Sequence, residues 1–143
     1  MASGINTMKP SQEIKEIIII LYIENQENSK NFYSTVLEMN PILDVIGMTV
    51  FEISKNVNLG IMTKSGISKI ICPVLPHPSN ANGIPRCELY LKVDEPREYA
   101  KRAINCGGRK VSELSQRDWG DEVVYVSDLD GNVIAFATSI GKD

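Results

Sequence analysis

Glu88, Tyr90 and Lys92 fall on alternate positions of the run Glu88-Leu-Tyr-Leu-Lys-Val93, and Arg117-Asp-Trp-Gly120 sets a cation, an anion and the only tryptophan beside a glycine. Successive side chains of a strand point to opposite faces, so the carboxylate, the phenol and the ammonium share one face while Leu89, Leu91 and Val93 share the other. The chemistry on offer is recognition. Indole and phenol rings can stack on a flat ligand or hold a cation, and Glu88 can pair with its charge. An apolar cleft with a few convergent polar groups is the usual make-up of a small-molecule site. The plainer readings are that Glu88 and Lys92 pair on an exposed edge, and that Trp119 is tucked on the core beneath a solvated loop.

Other reactive residue types are scarce. The single histidine, His77, stands between Pro76 and Pro78, where a solvated side chain is expected rather than a ligand. Cys72, Cys87 and Cys106 are odd in number, widely spaced and form no CxxC, so neither a disulfide framework nor a thiolate zinc site is indicated. Fifteen basic against 18 acidic residues, net −3, with no basic block, exclude nucleic acid as a partner, since neutralising phosphates needs clustered Lys or Arg. The apolar stretch Ile17–Ile23 is too short for a membrane span, which needs about 20 residues, and its acidic flank does not suit a signal peptide. A cytoplasmic protein with a disordered tail over residues 1–13 is expected.

The elements that must position the candidate residues repeat. Ile17–Ile23 reads as a strand, followed by a helix on which Phe32, Tyr33, Val36 and Leu37 share a face, with Asn25 or Asn28 as its cap. Pro41–Ile46, Met48–Ile53 and Val57–Thr63 read as three strands. Lys64–Arg86, with Pro73, Pro76, Pro78 and Pro85, reads as an extended linker. The order then returns. Glu88–Val93 is a strand, Pro96 opens a helix with Asp94 or Glu95 near its cap, and Gly107-Gly108 closes it. Lys110–Glu113, Glu122–Val126 and Asn132–Thr138 supply three strands, the last two joined through the turn Asp128-Leu-Asp-Gly131. The fold class expected is α+β: two βαβββ modules, residues 14–63 and 87–139, forming facing curved mixed sheets around a cavity within one domain, 14–143. Each sheet has one face without a helix, so the modules must pair within the chain or across a homodimer.

Phe32-Tyr33 ahead of Leu37-Glu38, the run Glu88–Asp94, Arg117-Asp-Trp-Gly120 and Asp128–Phe136 resemble the vicinal oxygen chelate superfamily, which includes glyoxalase I, extradiol dioxygenases and fosfomycin and bleomycin resistance proteins. The resemblance covers Ile17–Thr138. That superfamily often has glycine where Glu38 stands. In its metal-dependent members a His or Glu comes from the first and last strand of each module, and those positions fall here on Ile18, near Gly60, on Glu88 and on Ala135. Glu88 alone could coordinate, and a metal site needs more than one carboxylate. No metal and no cofactor are therefore expected. With strand alternation, Ile18, Ile20 and Tyr22 face the cavity, as do Val133, Ala135 and Ala137.

The resemblance then implies a metal-independent protein, similar to the bleomycin resistance branch, that sequesters or senses an aromatic or cationic small molecule. Its binding residues would be Tyr22, Glu88, Tyr90, Lys92, Arg117 and Trp119. One alternative is a glyoxalase-like lyase or isomerase, or a dioxygenase-related enzyme, although proton abstraction beside a carbonyl wants a metal or an oxyanion donor that the sequence does not display. Another is the effector-binding domain of a transcription regulator, although no helix-turn-helix is visible.

Overall fold

The computed structural model describes Met8 and residues 11–141, so most of the tail expected over 1–13 falls outside the described residues. The first module comprises β1 (Ile17–Ile23), α1 (Gln26–Leu37), β2 (Leu43–Val45), β3 (Met48–Ser54) and β4 (Val57–Thr63). A connection containing α2 (Lys64–Ile71) and a 3-10 turn (Pro78–Ala81) leads to the second module. That module comprises β5 (Glu88–Lys92), α3 (Pro96–Asn105), β6 (Arg109–Gln116), β7 (Asp121–Ser127) and β8 (Val133–Ser139).

The two modules are alike, as the repeat in the sequence implies. Each is a four-stranded mixed sheet, ordered β1-β4-β3-β2 and β5-β8-β7-β6, in which the first strand lies parallel to the last and the remaining pairs are antiparallel. The sheets remain separate and do not close into a barrel.

Local chemistry explains where the helices begin and end. Asn25 Oδ1 accepts the Asn28 N–H at 2.8 Å, which starts α1. At the other end Glu38 takes the left-handed conformation, φ 56°, that many helices give to glycine. After α3, Gly107 takes φ 103° and the Gly108 N–H closes the helix end by donating to the Ala103 carbonyl at 2.8 Å, where a Cβ on Gly108 would lie 2.5 Å from the Ser127 carbonyl oxygen.

One apolar core joins the modules. Leu21, Ile23, Phe51, Leu59 and Ile61 of the first sheet pack with Phe32, Tyr33, Val36 and Leu37 of α1, and the same cluster continues into Leu89, Ala100, Ala103, Val126, Ile134 and Phe136. The helix-covered sides of the sheets therefore meet. A polar latch crosses the same boundary at the turn between β7 and β8. Buried Asp128 accepts the Tyr33 hydroxyl at 2.7 Å and the N–H groups of Asp130 and Asn132, and Asp130 Oδ1 accepts the Glu24 N–H at 2.9 Å. Desolvation first, then the nearby Asp128 carboxylate, push the Tyr33 hydroxyl well above its ordinary value.

Three expectations are corrected in detail. Lys64–Ile71, expected as extended linker, is helical: Thr63 Oγ1 caps it by accepting the Gly66 N–H at 3.0 Å, Ile67 is buried, and the first proline comes only at Pro73. The strand expected over Pro41–Ile46 shrinks to Leu43–Val45, whereas β6 outgrows Lys110–Glu113 through irregular pairing with β7 at Ser112 and Ser115.

Candidate functional site

The face of the second sheet away from α3 carries the side chains of Glu88, Tyr90 and Lys92 from β5, since their neighbours Leu89 and Leu91 pack toward the core. Register places Ala135 opposite Tyr90 on one side and Tyr125 on the other, and Ala137 opposite Lys92 and Val123. Val123, Ala135 and Ala137 are fully buried beneath this face, with the Tyr90 and Tyr125 rings packed against them.

Trp119 reaches this face from the Arg117–Gly120 loop. The loop folds back because the Arg117 N–H donates to the Asp121 carbonyl at 2.8 Å and Gly120 takes φ 94°. The indole is 60% exposed, yet its Nε1–H donates to the Tyr90 hydroxyl at 2.8 Å. Tyr90 donates in turn to Asp121 Oδ2, Lys92 Nζ lies 3.2 Å from Asp121 Oδ1, and the same ammonium donates to Ser139 Oγ at 2.7 Å. The Tyr90 hydroxyl, and after it the Lys92 ammonium, hold the Asp121 carboxyl below its ordinary value. Burial first, and then the hydrogen bond to Asp121, raise the Tyr90 phenol, with the Trp119 N–H opposing. The carboxylate therefore keeps its charge and the phenol keeps its proton. Such a pair is suited to pairing with charge and hydrogen-bond donors and poorly matched to abstracting a proton near neutral pH.

The structure brings together Tyr90, Lys92 and Trp119 of the six residues named from sequence. Glu88 sits exposed at the start of β5 with no ion pair among the described residues. Arg117 lies one strand further on, its guanidinium 5.1 Å from the centroid of the Tyr125 ring and its Nη2 donating to Ser112 Oγ at 3.0 Å. Tyr22 belongs to the first sheet, where it is 37% exposed beside Ile18 and Ile20. Asp121 and Tyr125 were missed. Alternation along β7 carries the signal, since Asp121, Val123 and Tyr125 share one face, but a strand begun at Glu122 hides its first member.

The residues present do not fit the metal site of the resembling superfamily. Ile18 is apolar, Ala135 is fully buried, and a Cβ on Gly60 would meet Ile20 and Met48 at 3.2 and 3.3 Å. Among the described residues no group of three or more His, Cys, Asp or Glu could hold a metal ion. His77 instead caps the 3-10 turn, its Nδ1 accepting the Ser79 N–H at 3.1 Å. No described helix is long and apolar enough to cross a membrane.

Comparison with known proteins agrees with this architecture. The family model of the glyoxalase-like domain matches residues 16–141. A glyoxalase-related enzyme from Fulvimarina pelagi superposes with a TM-score of 0.73 at 18% identity, over 90% of this chain and 88% of its own. A glyoxalase/bleomycin resistance protein/dioxygenase family enzyme from Burkholderia phytofirmans PsJN gives 0.73 at 12% identity, over 86% and 97%. A glyoxalase/bleomycin resistance protein from Albidiferax ferrireducens T118 gives 0.63 at 21% identity, over 85% and 97%. No curated protein matches in sequence. At these identities the structural likeness speaks for the fold, and the family match extends it to descent: the chain belongs to the glyoxalase-like domain family, and with it to the vicinal oxygen chelate superfamily.

Proposed function

We propose that this chain is a metal-independent small-molecule-binding protein that holds a flat, cationic ligand on the open face of its second sheet. The observation that carries this reading is the exposed Trp119 indole, anchored at Nε1 to Tyr90 and placed beside the ionised Asp121. The ring offers a π-face, Tyr90 and Tyr125 extend the aromatic wall, and Asp121 supplies negative charge. A homodimer belongs to the same proposal, because the open face of the first sheet would cover the ligand if supplied by a second copy. The lyase alternative has less support here, since Asp121 is a weakened base and no donor set among the described residues could hold a metal.

The test is calorimetric titration with N-methylquinolinium, a planar aromatic cation. Trp119→Ala should weaken binding about two- to thirtyfold, the range set by losing a cation–π contact. With 60% of the residue in solvent, the substitution should leave thermal stability nearly unchanged. A loss of some 3 to 5 kcal/mol in folding free energy with unaltered affinity would instead make Trp119 a packing residue and remove the site.

A further inference from the structure

A second binding feature lies apart from the Trp119 face, along the outer edge of β5. Among the described residues β5 pairs with one strand, β8, and the Val93 N–H donates to the Ala137 carbonyl at 2.8 Å. In a parallel ladder the groups alternate by twos, so Leu89, Leu91 and Val93 turn their N–H and C=O toward β8 while Glu88, Tyr90 and Lys92 turn theirs outward. Those outward groups face a groove between the modules of about 410 Å³, whose inner wall is Leu37, Met39, Ile53, Val93 and Tyr99. The groove adjoins a second hollow running past Asp94, Glu95 and Glu98.

An unpaired strand edge beside an apolar wall is a template for strand addition. Charge selects the occupant. Glu88 stands at one end of β5 and Asp94, Glu95 and Glu98 beyond the other, and none of these carboxylates forms an ion pair among the described residues. The two cations that line these hollows are engaged elsewhere, Lys92 with Asp121 on the open face and Arg102 over the Tyr99 ring and 3.7 Å from Glu38, while Arg86 and Arg97 lie outside both linings. We propose that the edge of β5 takes up an extended peptide segment with an apolar centre and a lysine or arginine at each end. At about 3.3 Å per residue the five residues of β5 span about 16 Å, the length of a five- to six-residue segment.

The probe is the blocked hexapeptide acetyl-Lys-Val-Thr-Val-Thr-Lys-amide, titrated into nitrogen-15-labelled full-length protein. Saturable shifts of the Glu88, Tyr90 and Lys92 amides are expected. Glutamate in place of both lysines should weaken binding about tenfold, as should Glu95→Lys combined with Glu98→Lys in the protein. N-methylation of alternate peptide amides should abolish binding in one of its two phases, and Trp119→Ala should leave it unchanged. Retained binding by both N-methylated peptides overturns strand addition. Shifts confined to Trp119 and Tyr125, equal binding of the glutamate peptide, or no saturation at millimolar concentration overturn the site itself.

Discussion

Tyr90 is the residue on which the candidate site turns, because one hydroxyl serves both the indole that faces solvent and the carboxylate that does not. It accepts from Trp119 and donates to Asp121, so its removal should be felt on both sides. Tyr90→Phe should raise the Asp121 midpoint toward the ordinary aspartate value of 3.8, since the phenol is the largest cause of its depression. The sign follows from linkage. A carboxyl held low in the folded state contributes its stabilisation above the unfolded value and loses it as pH falls through the folded one. Carbon-13 titration of the assigned Asp121 carboxyl in both proteins checks this; an unmoved midpoint would mean that Lys92 alone sets it. Removing the phenol also frees the Trp119 Nε1–H, so the indole should become more mobile on the nanosecond scale, as fluorescence anisotropy would report.

Among the elements, the end of α1 shows where a local rule is broken at a measurable cost. Glu38 adopts φ 56°, a conformation that costs a side-chain-bearing residue about 1–2 kcal/mol relative to right-handed geometry and costs glycine little. Its ion pair with Arg102 is 3.7 Å long with the Glu38 side chain 67% exposed, which is worth a few tenths of a kcal/mol at most. The conformational gain therefore wins, and Glu38→Gly should stabilise the protein by about 0.5–1 kcal/mol in urea denaturation. A decrease would show that Arg102 needs this partner. The elements also mark how far the sequence was readable. Both helices with apolar stripes, and the strands whose alternation is clean, were legible from period alone, as was the repeat that defines the modules. The helix at Lys64–Ile71 was not, because the prolines that follow it overshadowed a Thr63 cap and a single inward Ile67. Within the candidate site, Tyr90, Lys92 and Trp119 could be named from alternation and composition. Their joining through Asp121 could not, since it depends on how one loop folds back onto β5. The same holds for Asp128. Its turn was plain from Asp130-Gly131, yet its bond to Tyr33, 95 residues away, is a product of tertiary structure.

At the scale of the whole molecule, β1 leaves apolar side chains uncovered on both of its faces: Ile17 and Ile19, on the side of the core, are 49% and 37% exposed. Ile18, Ile20 and Tyr22 leave 46%, 38% and 37% of their surface exposed on the first sheet, a patch that invites a partner. Sedimentation is expected to show a homodimer at micromolar concentration, and Ile20→Glu should shift it toward monomer, whereas Arg97→Glu on α3 should not. A monomer at high micromolar concentration would confine all pairing to one chain. The shared core has a further consequence. Residues 82–88 are exposed throughout and bridge two modules that are otherwise held by apolar contact and by the Tyr33–Asp128 latch. Peptide continuity there should be dispensable for the fit of one half on the other. Supplied as separate polypeptides, 1–82 and 83–143, the halves should find each other and restore the native amide spectrum. Fused to two proteins of interest, they would make a proximity reporter, read out by recovery of the native amide spectrum.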